Sequence, residues 1–285
     1  MMSDIRALRI KEHIVNRKVH PTPEQISKSN HLLSDDDFEI TIDLHRFIVS
    51  SLNTPNKLYP KVMLMGDSIA ECAFVPEGLR ITDVLNAFVS DNSMLNPYEF
   101  LNAACSGNTT FHMIVVYLAK LMPLNPKHVI ALMGSIDAGA CRSSYNYWTP
   151  LKGTTPFTYT HEFKKFPRKL DVDFSYREAL LIGLDSMCKA MGTHFHIATM
   201  PITPIASWHK EKNISDIHEI VNLRRELNDN SRYISKKHNL SLIDLETSLP
   251  LDENLFYDIE HLSQYGAKLV AEAIREYLNT FDLID

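Results

Sequence analysis

From about Pro60 onward, short apolar runs alternate with longer amphipathic stretches. The runs are Val62–Met65, Phe100–Ala104, Val129–Met133, Phe195–Met200 and Leu240–Leu245. Each is too short for a helix and is followed by polar or small residues, which predicts strands. Between them, Phe111–Met122, Tyr176–Met191, Ile217–His238 and Ser263–Leu278 have helical patterning. Strand, helix, strand, repeated, means a parallel sheet with helices on both faces. Such sheets bind ligands at the carboxyl ends of their strands. Chemistry is therefore to be sought in the residues that directly follow each run.

Two regions depart from this rhythm. Residues 1–57 precede it and read as an N-terminal extension that packs on the main domain, residues 58–285. Within the extension, Ile5–Val19 fits an amphipathic helix that Pro21 and Pro23 then break. Glu39–Ser51 fits helix or strand. The second departure is the long connection from Arg142 to Leu170. It carries Tyr145, Tyr147, Trp148, Phe157, Tyr159, Phe163 and Phe166 among Pro, Thr and Lys. Long loops in compact domains often serve as lids, and aromatic side chains suit a wall around an organic substrate. Tyr147 and Trp148 are therefore candidate substrate-binding residues. The alternative is a surface excursion that buries its own aromatics. Lys164, Lys165, Arg168 and Lys169 read as a solvated face.

Composition narrows the function classes. The chain has 285 residues, 45% apolar and 22% charged, enough to bury a core without disulfide or metal staples. Lys and Arg number 29 and Asp and Glu 35, a net charge of −6. That excludes a general nucleic-acid binder, which needs a clustered basic surface. Glycine is scarce, and no glycine-rich nucleotide loop occurs. No apolar run reaches the ~18 residues of a membrane span. The first twenty residues alternate in charge where a signal peptide would be apolar, so a cytoplasmic protein is expected. Cys72, Cys105, Cys141 and Cys188 lack C-x-x-C spacing and read as reduced thiols. His194 and His196 alternate on one strand face without an acidic or thiol partner, which reads as structural rather than metal-binding. Arg224 and Arg225, balanced by Glu219 and Glu226, read as an exposed helix face, and Trp208–Lys212 as a solvated loop. No metal and no cofactor are expected.

Two segments can carry chemistry together. In Lys61-Val-Met-Leu-Met-Gly-Asp-Ser-Ile69 the strand ends at Gly66 and Ser68 follows at the start of the next helix. Free backbone N–H groups and the positive dipole end there stabilise negative charge beside the serine. In Phe256-Tyr-Asp-Ile-Glu-His-Leu-Ser-Gln-Tyr-Gly266, Asp258 and His261 are three residues apart. An aspartate so placed accepts from the imidazole and leaves its other nitrogen free as a base. Taken singly, the first segment equally fits a plain helix cap and the second a capping Asp with a surface His.

These blocks, with Ala104-Cys-Ser-Gly-Asn-Thr-Thr110, Met133-Gly-Ser-Ile-Asp137 and Thr199-Met-Pro-Ile-Thr-Pro204, resemble in order and spacing the SGNH hydrolases, or GDSL esterase/lipase family, over residues 60–280. The resemblance implies a three-layer α/β/α sandwich with a mainly parallel, about five-stranded, flavodoxin-like sheet. It implies Ser68 as nucleophile, Asp258 and His261 as its partners, and the N–H groups of Ser68 and Gly107 as the oxyanion hole. The family's third block is usually Gly-x-Asn-Asp, the Asn being an oxyanion donor, but Ile136 stands there. Loss of one such donor costs roughly 10²–10³ in rate. Asn108, Ser135 or Arg142 can replace it, the two N–H groups can suffice, or the protein is a binder on the same fold. The implied activity is a serine esterase or deacylase acting on an O-acylated small molecule, carbohydrate or lipid. An acyltransferase using the same acyl-enzyme is the chemically adjacent alternative. With an unperturbed imidazole, activity would fall as pH drops through about 6.5.

Overall fold

The structure is a computed structural model and describes residues 14–50, 52, 58–132, 134–143, 146–148, 172–204 and 217–284. The expectations for residues 5–13, for Tyr145, for the aromatic and basic residues of 157–169, and for Trp208–Lys212 lie outside the described residues.

An eight-stranded sheet forms the centre. Its strands are β1 (Ile14–Val19), β2 (Phe38–Ile42), β3 (Ile48–Val49), β4 (Lys61–Gly66), β5 (Glu99–Asn102), β6 (His128–Leu132), β7 (His194–Ala198) and β8 (Ser241–Ile243). The order is β1-β2-β3-β5-β4-β6-β7-β8. The last five form the parallel block, each run of the apolar pattern supplying one strand. The three added strands pair antiparallel and join the block where Ile48 meets Asn102. The sheet is thus wider than the five strands expected, because the extension continues it.

The extension also corrects the helix expected over Ile5–Val19. Residues 14–19 are a strand on the sheet edge, mostly exposed. Ile14, Val15 and Val19 are β-branched and favour extended backbone. A bulge between Ile14 and Arg17, with Asn16 at φ 50°, breaks the even alternation that marks a strand in sequence. Its neighbour β2 buries Phe38, Ile40 and Ile42 at alternate positions, and β2 with β3 resolves the ambiguity over Glu39–Ser51 in favour of strands for the described residues 39–50.

Alternation in the parallel strands divides the core in two. Val62, Leu64, Ile130 and Leu132 face one layer, where α3 (Ile81–Ser90) and α9 (Gln264–Phe281) bring Ile81, Leu85, Val270, Ile274 and Leu278. Met63, Met65, Val129 and Ala131 face the other, where α4 (Thr110–Val116) and α6 (Ser175–Ala190) bring Met113, Val116, Leu181 and Leu184. The parallel half also holds α2 (Ser68–Glu71), α5 (Ser135–Cys141) and α7 (Ile217–His238), with α8 (Leu245–Ser248) after β8, while α1 (Pro23–Lys28) lies in the extension. None of the described helices is long and apolar enough to cross a membrane.

In the parallel block β5 lies on one side of β4, while β6, β7 and β8 follow on the other. The chain reverses its direction of travel at β4, and such a switch point opens a crevice beyond the strand's carboxyl end. Ser68 lies two residues past that end.

Candidate active site

Ser68 owes its position to a four-residue helix that starts immediately after β4. Asp67 caps that helix by accepting from the Ile69 N–H at 2.9 Å, and Cys72 ends it in left-handed backbone at φ 53°. The first turn thus presents the Ser68 hydroxyl at a partly open rim. Register fixes its neighbours. Leu64 pairs with Asn102 on one side and Gly66 with Leu132 on the other. Past the strand ends the Cys105 N–H donates to the Gly66 carbonyl at 3.1 Å and Gly134 packs on Asp67, so the turns after β5 and β6 flank the start of α2.

Both flanking turns are held tightly. Gly107 has φ 78°, which a side chain would strain. Glu71 of α2 accepts from both the N–H and the hydroxyl of Ser106, the latter at 2.6 Å, and so ties this turn to the helix that carries Ser68. On the other side Gly134 lies against the Asp67 carboxylate. A Cβ there would fall 1.4 Å from Asp67 Oδ2, so only glycine fits.

The third part comes from the far end of the chain. Asp258 Oδ1 accepts the N–H groups of Glu260, at 2.8 Å, and His261, at 2.6 Å, which folds the segment into a tight turn. The same carboxylate reaches His261 Nδ1, with Oδ2 at 2.8 Å. His261 Nε2 is 2.8 Å from Ser68 Oγ. With the Nδ1 proton directed at Asp258, Nε2 accepts from the serine hydroxyl. The Tyr257 ring stacks on the imidazole at 5.6 Å and 8°. Asn30 of the extension holds this stretch by donating to the carbonyls of Phe256, at 2.7 Å, and Tyr257, at 2.8 Å.

The electrostatics separate the carboxyls. Burial works against a charged His261, but the Asp258 hydrogen bond and charge, then Glu260 and Asp67, outweigh it and raise the imidazole to about 9. The value of 6.5 taken for an unperturbed imidazole does not hold in this acidic surround. Burial opposes the charged form of Asp258 too, yet its bonds to His261 and to two N–H groups keep it below the usual carboxylate range. Asp67 is buried, its Oδ2 has no hydrogen-bond partner among the described residues, and burial plus the nearby Glu260 charge push it up to about 7.

The other sequence candidates are placed as follows. Ser135, in the first turn of α5, accepts from Arg224 Nε at 2.8 Å. Asn108 is buried, with no partner for Oδ1 among the described residues. Arg142 sits at the far end of α5 and pairs with Glu219 at 2.6 Å, which occupies it away from Ser68. Tyr147 is buried against Cys141 and Phe174, so packing and not substrate contact is its part. Trp148 is 37% exposed, in edge contact with Phe111 at 5.6 Å and Tyr176 at 5.2 Å. His194 and His196 lie at the opposite end of the sheet. His196 bonds to His128 at 3.0 Å and Tyr277 at 3.2 Å, and no metal-holding group of three or more His, Cys, Asp or Glu occurs among the described residues.

Arg224, expected on an exposed helix face, is only 2% exposed. The available signal was its spacing: Ile217, Val221, Arg224 and Asn228 fall four, three and four apart, on the buried stripe of α7. Glu71 and Asn30 were not singled out either, since their partners lie far away in sequence or on another element.

No family model and no curated protein matches this chain. Solved structures do. A catalytic mutant of an acetylxylan esterase from Geobacillus stearothermophilus aligns at TM-score 0.53 and 15% identity, over 80% of this chain and 94% of that one. An acetyl xylan esterase aligns at TM-score 0.51 and 18% identity, over 76% and 98%. A GDSL-like lipase from Bacteroides thetaiotaomicron aligns at TM-score 0.51 and 14% identity, over 80% and 91%. At such identities the likeness concerns the backbone, and it is consistent across all three: this chain has the SGNH/GDSL hydrolase fold.

Proposed function

We propose that this protein is a serine esterase or deacylase that hydrolyses an O-acyl ester of a small molecule, carbohydrate or lipid. The observation that carries the reading is the hydrogen-bonded chain from Ser68 Oγ through His261 to Asp258, with 2.8 Å at both links. In the first step neutral His261 Nε2 takes the Ser68 proton while Oγ attacks the acyl carbonyl. The carbonyl oxygen becomes an oxyanion, received by the N–H groups of Ser68 and Gly107. The tetrahedral intermediate collapses, His261 gives its proton to the leaving alcohol, and the acyl group stays on Ser68. Water then enters, His261 takes one of its protons, and the acid leaves as Ser68 recovers its own.

The raised imidazole makes one demand. Only neutral His261 can serve as base, so turnover rises with pH toward about 9. The names of the acetylxylan esterase neighbours direct the first substrates toward acetylated sugars, with p-nitrophenyl acetate as a general probe. The test is labelling with a fluorophosphonate. Modification at Ser68, with turnover lost in Ser68→Ala, supports the reading. A chain that stays unlabelled and hydrolyses no ester would instead be a binding protein on this fold.

A further inference from the structure

Ile136 offers no side-chain donor, while a buried cation stands one helix away. Arg224 lies midway along α7, and its Nε donates to Ser135 Oγ at 2.8 Å. A hydroxyl that accepts there still has its own proton to give. Among the described residues the other polar contact of Ser135 Oγ is Met200 Sδ at 4.0 Å, a weak acceptor. Ser135 is one residue past Gly134, which lies against the carboxylate of Asp67, the residue before Ser68.

The same guanidinium reaches the other half of the site. Nη1 donates to the Ile259 carbonyl, inside the turn that carries Asp258 and His261, and Thr203 Oγ1 reinforces that carbonyl at 2.8 Å. Glu260 balances the charge, its Oε1 3.5 Å from Arg224 Nη2. One buried cation therefore spans the base-carrying turn and the turn beside the nucleophile.

We propose that Arg224 is a positioning residue that holds Ser135 as a third hydrogen-bond donor to the oxyanion, in the place Ile136 leaves empty. The proposal rests on the acyl-enzyme reading above. A hydroxyl polarised by a charged donor on its oxygen is the stronger donor through its hydrogen. Its proton turns from the thioether to the oxyanion as negative charge develops, so the bond acts in the transition state more than in the ground state.

The experiment is steady-state hydrolysis of p-nitrophenyl acetate by the full chain, after labelling at Ser68 has been checked. Ser135→Ala is expected to lower kcat about 10²-fold with KM nearly constant. Arg224→Gln should lower kcat at least as much, and the double variant no further than Arg224→Gln alone, since both act through one bond. Ile136→Asn introduced into Ser135→Ala should recover at least about tenfold in kcat by restoring an amide donor. A brace with a merely structural part would not be rescued in this way. If Arg224→Gln does not fold, Ser135→Ala and its rescue decide alone. An unlabelled, inactive wild-type chain overturns the esterase reading itself. A labelled, active chain in which Ser135→Ala keeps wild-type kcat, or loses kcat that Ile136→Asn cannot restore, overturns only the parts given to Arg224 and Ser135.

Discussion

The sheet carries histidines at both ends, and the two sets are driven in opposite directions. At the carboxyl rim, His261 has a carboxylate at 2.8 Å and lies near Glu260 and Asp67, and its imidazole rises to about 9. At the amino end, His128 and His196 are fully buried and share a hydrogen bond of 3.0 Å. Tyr98, Tyr277 and Phe281 enclose them. Burial lowers His128 to about 4, Asp282 at 3.7 Å opposes this, and the charges of His194 and Lys127 add to it. His196 falls well below the usual range for the same first reason, with His128 and His194 beside it. Burial disfavours the imidazolium in both places. The difference lies in the partners: a carboxylate hydrogen-bonded at 2.8 Å reverses the effect, whereas one at 3.7 Å among imidazoles and phenols does not. The rim holds a proton ready, and the far end excludes one.

The largest test converts the first kind into the second. Asp258→Asn removes the charge that holds the imidazole and should lower kcat by about 10⁴-fold. The acid limb of the residual activity should move down from the wild-type position near pH 9. A pH–rate profile over pH 5–10 checks both, and an unmoved limb would mean that Asp258 does not hold the imidazole.

Next in size is the stability of the amino end. The folded value for His128, about 4, lies below an unfolded one of about 6.5, so the unfolded chain binds more protons between them. Stability is lost as pH falls through that window, by about 3 kcal/mol for this group. His261 has the opposite slope: its contribution is present below about 6.5 and is lost as pH rises through about 9. Urea unfolding at pH 7 and pH 4.5 should show a smaller difference for His128→Gln than for wild type, whatever the variant's stability at neutral pH. An unchanged difference would remove His128 from the account.

The smallest expected effect concerns Asp67. Asp67→Asn keeps a cap for the Ile69 N–H and removes one negative neighbour of His261. The acid limb should shift down by less than about one unit. A shift as large as that of Asp258→Asn would place the chief counter-charge on Asp67.

How much of this was legible in the sequence depended on how local the cause was. The five parallel strands were visible because each is a short, largely apolar run, and all but the edge strand β8 are buried on both faces. Ser263 caps α9 by accepting from the Gly266 N–H, so that helix began where its sequence said. Strand β1 was hidden, since an exposed edge strand with a bulge shows no alternation. Arg224 was hidden because Arg next to Arg with glutamates nearby resembles a solvated face. Only the fold places its side chain between Ser135 and Ile259. Among the aromatics of the long connection, Tyr147 and Trp148 differ in exposure although they are adjacent. The three-residue helix Asn146–Trp148 turns one inward and the other outward, a difference that residue type does not encode.

The tie between Asn30 and the Phe256–Tyr257 backbone spans 226 positions in its side-chain bond, and the pairing of Ser68 with His261 spans 193. Contacts between such distant positions form only after the intervening chain has collapsed. Synthesis proceeds from the N-terminus, so the serine's helix emerges while its base has yet to be translated. A nascent chain, or one cut short before residue 261, lacks the imidazole and can carry no relay. The meeting of hydroxyl and imidazole therefore waits until residue 261 has left the ribosome, however early the serine's own helix forms.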